Sequence, residues 1–345
     1  MDFLKYGLLW KGFAASLLFV ILIGLMGCTQ QADVSTSESE VSKNAGKKMP
    51  AEIEQVHIGL PSKQNMSYIP FLVADKKGIY KKYNLDVKFT YVQGGVLALR
   101  GLQTGDFDLI SSLPESVITG VAEGANVKII GTLDNQSMYS IYVSKDIQKI
   151  SDLKGNNAAG MVTGNGTNIQ LEYWLKKKGF VPNKDVRIVN AGDNAERLLA
   201  LQQGQASVTI LSPPTDLKAD ELGLKRYLMR DELKTYNHNM ISANGNLIKT
   251  KPEVIYAFMS AHSEAVKYVK NETNRDEIIS IIMNDMQMSK SNAEKSFDFV
   301  LPALADKGKM NIEGVEWAID TVKEAEISDK DVTIDQLIDE RFYAE

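Results

Sequence analysis

Two short polar stretches hold side chains well suited to gripping a small molecule. One runs Gln64-Asn65-Met66-Ser67-Tyr68, the other Thr163-Gly164-Asn165-Gly166-Thr167-Asn168. Each leads into an apolar run with helical spacing, so amide and hydroxyl groups stand beside the free N–H groups of a helix start. That end of a helix carries partial positive charge, so it can hold an anion or hydrogen-bond a neutral polar ring. Gly94, Gly95 and Gly166 would let backbone approach a bound group closely. Ser112 and Glu115 follow the strand-like run "FDLISS"; Ser212, Thr215 and Asp216 follow "SVTILS". Asn135, Tyr139 and Asn239 lie beside or on two further strand-like runs, 139–145 and 236–244. Taken singly, any of these is as readily a helix cap or a solvated loop residue. The loops carry Glu115, Asp193 and Asp216 against the single cation Lys63. This balance leans toward a ligand with amine or heterocyclic N–H groups, although helix starts could still serve a sulfonate- or nitrate-like anion.

Composition excludes several other chemistries. The chain has 345 residues and a net charge of −5, with no basic concentration to meet nucleic acid. One cysteine excludes an internal disulfide framework and any multi-cysteine metal site. The three histidines are scattered, and none stands beside a nucleophile in sequence. G-x-S-x-G, H-E-x-x-H and the phosphate-cradling G-x-x-x-x-G-K-S/T motif do not occur. No catalytic residue, metal or cofactor is therefore expected, and the chain does not read as an enzyme.

The elements that must position these side chains come as a repeat. Residues 56–114 and 157–214 share one order: strand, polar loop, helix ending in Lys-Lys-Gly, strand, glycine loop, helix, strand, proline. Helices between strands force parallel neighbours and right-handed crossovers. Two such units predict an α/β fold of two lobes, each a mostly parallel sheet flanked by helices. Ligands of open parallel sheets bind beyond the carboxyl ends of the strands. Loops 61–68, 93–96 and 111–116 mark that edge in one lobe; 163–168, 191–194 and 212–216 mark it in the other. If the lobes face each other, all six line one cleft. The runs 139–145 and 236–244 read as the crossovers, and two crossovers make a hinge. Helical spacing returns in four segments between Pro252 and Ala325. The expected plan is a first lobe of residues 53–145 and 237–345, with a second lobe, 146–236, inserted.

The N-terminus is different in kind. Lys5 and Lys11 precede an uncharged run over residues 12–27, sixteen residues long. A membrane helix needs about 20, so the run suits a secretory signal instead. It ends Leu25-Met26-Gly27-Cys28, which resembles the bacterial lipobox, Leu-x-Gly/Ala-Cys. That resemblance implies cleavage of a signal peptide, 1–27, and acylation of Cys28, with palmitate among the chains. Residues 28–52 are polar, without apolar period, and read as a disordered tether. The protein would sit on the extracytoplasmic face of the bacterial membrane, anchored but not embedded, as a monomer.

A further resemblance rests on "GLPSKQNMSYIPFLVADKKGIYKKYNLDVKF", with Pro70, Ala74, Gly78 and Ile79-Tyr80, then Asn84-Leu85-Asp86-Val87. Leu102, Gly105 and Asp108 continue it, as does "ISDLKGNNAAG", in which Asn156 replaces the usual lysine. Over residues 53–300 the chain resembles the nitrate/sulfonate/taurine and thiamine-precursor binding proteins of ABC importers. The resemblance implies a type II-like periplasmic-binding-protein fold. It also implies delivery of a captured solute to a membrane permease served by a separate ATPase. A lipoprotein that senses the ligand for a membrane receptor is the alternative. The same fold occurs in a pyrimidine-forming enzyme of thiamine synthesis that uses histidine and a cysteine-rich segment, but here Cys28 is the one cysteine and no histidine stands beside a plausible nucleophile in sequence.

Overall fold

The computed structural model describes residues 49–325 and 330–344. The signal segment, Cys28 and nearly all of the tether lie outside the described residues. Among the described residues, ten strands form two five-stranded sheets. The first contains β1 (Glu54–Leu60), β2 (Leu85–Tyr91), β3 (Leu109–Ser112), β4 (Val127–Thr132) and β10 (Met240–Asn244), in the order β2-β1-β3-β10-β4. The second contains β5 (Ser140–Val143), β6 (Asn157–Gly160), β7 (Arg187–Asn190), β8 (Val208–Leu211) and β9 (Lys225–Leu228), in the order β7-β6-β8-β5-β9. In each, three parallel strands are followed by one antiparallel strand, β10 or β5, and an outer strand paired antiparallel to it. The protein is thus a two-lobed α/β fold with matching sheets.

The crossovers of the first lobe are α1 (Ile69–Lys76) and α2 (Gly95–Thr104), with α3 (Pro114–Ala122) after β3. Their counterparts in the second are α4 (Gly166–Lys177), α5 (Asn194–Gln202) and α6 (Thr215–Glu221). The repeated Lys-Lys-Gly has a local cause. Gly78 and Gly179 take φ of 68° and 86° just after α1 and α4. Glycine adopts that left-handed geometry without a Cβ penalty and so ends the helix.

Burial follows strand position. β3, β4, β5, β8 and β10 are buried along nearly their whole length, whereas the edge strands β2 and β7 mix exposed and covered residues. Strands covered on both faces read as mainly apolar runs, as in "VTIL", where the one polar group, Thr209 Oγ1, is satisfied by donating to the Ala159 carbonyl at 2.8 Å. The C-terminal helices complete the first lobe: α7 (Pro252–Lys270), α8 (Arg275–Met286), α9 (Lys290–Val300) and α10 (Ile312–Glu324). α7 packs on α1, and α10 on α3. Phe71 of α1 is fully buried and stacks among Tyr68, Phe89 and Phe258. Phe107 covers two glycines: a Cβ at Gly59 or Gly101 would fall 2.3 or 2.4 Å from its ring. Those positions admit no side chain, which is why α2 can lie so close to β1.

One expected boundary moves. The strand over 140–143 pairs with β8 and β9, so it belongs to the second sheet rather than leaving from the first. Backbone pairing with β8 on one edge and β9 on the other holds it in that sheet, so the chain passes between the sheets before residue 140. The return strand β10 lies between β3 and β4 in the first sheet.

Candidate functional site

All six loops meet at one cavity between the lobes. The first lobe supplies Pro61, Ser62, Asn65, Tyr68, Gly94, Gly95, Leu113 and Ser116. The second supplies Met161, Asn165, Thr167, Asp193, Asn194, Arg197 and Ser212; the crossovers add Tyr139, His238 and Asn239. The space a water centre can reach is about 60 Å³. A single water needs about 10–15 Å³ by that measure, so the cavity suits a small solute. The lobes touch around it: Gly166 N–H donates to Ser116 Oγ at 3.1 Å, and Gln93 Nε2 donates to Glu196 Oε2 at 3.1 Å. Gly94 sits so close to the opposite lobe that a Cβ would come 2.8 Å from Asn165 Nδ2.

Local capping explains much of the lining. Asn65 Oδ1 accepts from Ser67 N–H, and Asn165 Oδ1 from Thr167 N–H, both at 3.0 Å. The two loops are therefore built alike, each amide oxygen closing the turn before its helix. Asp193 caps α5 in the same way, accepting from Ala195 and Glu196 N–H. Thr167 Oγ1 also meets the Tyr139 hydroxyl at 2.7 Å.

Of the nineteen binding residues expected from sequence, Asn65, Tyr68, Gly94, Gly95, Tyr139, Asn165, Thr167, Ser212 and Asn239 line the cavity. The others stand elsewhere, each for a visible reason. Gln64 reaches out to the Met286 carbonyl, and Thr163 is exposed on a turn. Ser67 and Ser112 are buried behind the lining. Asn135 bonds through its N–H to the Ala303 carbonyl. Gly166 packs against Leu113 and Glu115, and Asn168 donates to Glu172 Oε1. Asp216 pairs with Arg226 at 2.7 Å, and Thr215 is buried beside it in the first turn of α6. Glu115 is wholly buried at the junction of the lobes. Its two oxygens accept from the Tyr236 hydroxyl, both at 2.9 Å, and that hydroxyl accepts from Gln170 Nε2. Burial pushes the Glu115 carboxyl up to about 8, with the bond from Tyr236 opposing.

The sequence-based charge balance is overturned by these placements. Only Asp193 of the three acids lines the cavity, and Lys63 is exposed outside it. The cation that does line it is Arg197, 2 % exposed. Its Nε donates to the Ile210 carbonyl, Nη1 to the Gly192 carbonyl, and Nη2 to Asn194 Oδ1. Among the described residues no carboxylate bonds to it. A guanidinium has five N–H groups, so two remain for a ligand. Burial lowers its pKa, with the charges around Tyr139, Asp193 and Glu196 opposing, yet an arginine stays protonated in proteins. Arg197 was missed because "NAERLLAL" reads as a charged helix surface. Its spacing held the clue: it shares a face with buried Ala200 and Leu201, so a charge there points inward. Ser62, Ser116, Asn194 and His238 carried no comparable signal.

The fold is a two-lobed α/β scaffold with a polar cavity enclosed between its lobes. A family model described as "NMT1/THI5 like" matches residues 65–275. The chain belongs to the NMT1/THI5-like family. It is 24% identical over 262 residues to a Haemophilus influenzae protein named for thiamine biosynthesis, spanning 74% of this chain and 81% of that one. The periplasmic aliphatic sulphonate binding protein SsuA from Escherichia coli superposes with a TM-score of 0.68 at 21% identity, covering 85% of this chain and 94% of its own. The periplasmic nitrate-binding protein NrtA from Synechocystis PCC 6803 gives 0.63 at 14% identity, covering 85% and 93%. Among the described residues no helix is long and apolar enough to cross a membrane.

Proposed function

We propose that this chain is the solute-capturing component of an ABC importer. It holds a small organic or inorganic anion between its lobes and hands it to a membrane permease. The observation that carries this reading is Arg197, a buried guanidinium facing an interlobe cavity with no carboxylate bonded to it. The starts of α1 and α4 add partial positive charge at the same cavity. A buried unpaired charge is costly unless a partner of opposite sign arrives. Kinship with a sulphonate-binding and a nitrate-binding fold supports an anion over a neutral ring. Asn65, Tyr68, Tyr139, Asn165, Thr167, Asn194, Ser212 and Asn239 would supply hydrogen bonds around it. The role is capture, not turnover, and needs no cofactor.

The lipobox supports anchoring through Cys28 on the outer face of the membrane, as a monomer on a polar leash. Residues 53–133 with 239–345 form the first lobe in this reading, and 139–236 the inserted one.

Thermal-shift and calorimetric titration of the full chain with nitrate, sulfonates, carboxylates and aminopyrimidines tests the ligand class. Anions should bind, and Arg197→Met should weaken them at least 30-fold, about 2 kcal/mol. Binding of a neutral aminopyrimidine that survives Arg197→Met would refute the anion reading. Separately, Cys28→Ala should move the protein from the membrane fraction to the medium or periplasm without altering affinity. Retention at the membrane would refute the anchor.

A further inference from the structure

Outside the ligand cavity the lobes also meet through one aromatic ring and two guanidiniums. α9 ends in the run Ser296-Phe297-Asp298-Phe299-Val300. Phe297 is fully buried in the core of the first lobe. Phe299, two positions on, lies about 200° round the helix from it and is half-buried at the edge of that core. Its ring meets the second lobe instead. Arg230, in the short helix Met229–Glu232, holds its guanidinium carbon 3.7 Å from the ring centroid, and Arg226 of β9 holds its own at 5.3 Å. A guanidinium stacks on an aromatic face through cation–π attraction.

The two arginines are held differently. Arg226 is fixed within its own lobe: Nη2 donates to Asp216 at 2.7 Å, Nη1 to Asp220 at 2.8 Å and Nε to Ser140 Oγ at 2.9 Å. Arg230 Nε and Nη2 are buried without a hydrogen-bond partner. Burial and the charge of Arg226 lower its pKa, with the charges of Asp231 and Asp216 opposing. The Phe299 ring therefore compensates this guanidinium for part of the water it has lost.

Both halves of the contact sit at the sheet edges that face each other. α9 packs on the turn Met66–Tyr68, whose Tyr68 lines the cavity. Asp216, the anchor of Arg226, lies in the first turn of α6, just after cavity-lining Ser212. Phe299, Arg226 and Arg230 do not line the cavity themselves. One more side-chain contact spans the junction, Asn292 Nδ2 of α9 donating to Glu221 Oε1 of α6 at 3.4 Å. Among the described residues no backbone hydrogen bond joins α9 to β9, to α6 or to the short helix. The junction can part without breaking any secondary structure.

We propose that Phe299, Arg226 and Arg230 form a closure latch: the second lobe's guanidiniums grip the first lobe's ring when the lobes are shut and release it when they part. The latch touches no ligand. It biases the balance between open and shut forms, and a ligand that binds the shut form gains affinity in proportion to that bias. Residues outside the cavity thereby set how tightly a solute is held, whatever the solute's chemistry. This goes beyond the capture role and does not depend on the solute being an anion.

The test uses the full chain carrying Cys28→Ser, with spin labels placed through Leu97→Cys and Leu199→Cys. Those two side chains are exposed on α2 and α5, whose starts are joined across the cleft by Gln93 and Glu196. Without ligand, Phe299→Leu and Arg230→Met should each shift the pulsed-EPR distance distribution toward the longer interlobe separation. Calorimetry with nitrate and with methanesulfonate should show each variant binding about fivefold more weakly, and the double variant no weaker than either single one. If Phe299→Leu does not fold, Arg230→Met carries the test alone. Distances and affinities both unchanged in the folded variants would overturn the latch, as would losses that simply add in the double variant. A wild type that binds neither probe would refute the anion reading instead, and the distances then decide the latch by themselves.

Discussion

Glu115 should make this protein less stable as pH rises, by an amount large enough to measure. Its carboxyl is buried where α3 meets the start of α4, bonded to the Tyr236 hydroxyl and close to Gly166. No cation is among the groups that shift it, and burial holds it near 8 against an ordinary 4.5. Below pH 4.5 both folded and unfolded chains carry the proton, so Glu115 contributes no pH dependence. Between 4.5 and 8 the unfolded chain releases the proton while the folded chain keeps it. The folded state then binds more protons, and stability falls by about 1.4 kcal/mol per pH unit. Across that window the loss reaches about 5 kcal/mol, and it is flat above pH 8. Glu115→Gln is nearly isosteric, can still accept from Tyr236, and does not ionise. Denaturant titrations of both chains from pH 4.5 to 9 should show curves that meet at the acid end. The variant should gain about 3 kcal/mol by pH 7. Parallel curves across the range would mean that the carboxyl is charged in the closed protein and that burial does not govern it.

Two further outcomes follow from the packing. Gly94 combines φ +83° with an approach of 2.8 Å, measured from a built Cβ, to Asn165 on the other lobe. Gly94→Val should therefore hinder closure and weaken ligand by about tenfold or more, roughly 1.4 kcal/mol, as read by calorimetry; unchanged affinity would refute the approach. Phe107→Ala should cost about 3–5 kcal/mol in denaturant unfolding, because the ring alone fills the space over Gly59 and Gly101. A loss under about 1 kcal/mol would mean the site collapses freely.

Much of the fold was legible because its repeat is written in residues with strict backbone demands. Gly78 and Gly179 take a left-handed geometry that glycine adopts without penalty, so they marked helix ends, and the mostly apolar "VTIL" between turn signals fitted a covered strand. The placement of 140–143 was not legible. A buried, apolar four-residue strand suits either sheet, and only its partners β8 and β9 decide between them. The loops lining the cavity could be read from topology, since both units put them at the same sheet edge. Which side chains face inward could not. Asn65 and Asn165 look no different in sequence from Gln64 and Asn168, and a turn of the chain separates lining from support. Arg197 shows the limit most clearly, since its inward aim depends on helix phase and not on composition.

The place of β10 also sets an order of assembly. The strand fills the middle of the first sheet, between β3 and β4, but it follows the whole second lobe in the chain. Until residue 244 has been synthesised, β3 and β4 lack the strand that lies between them. The second sheet has no such gap, because β5 to β9 run consecutively. Closing a flexible loop of that length costs entropy that grows with the logarithm of its residues. A second lobe already folded brings the loop ends together: Leu133 N–H donates to the Asn239 carbonyl at 2.7 Å. The inserted lobe is thus the part that can finish first, and its completion delivers the strand that lets the other lobe finish.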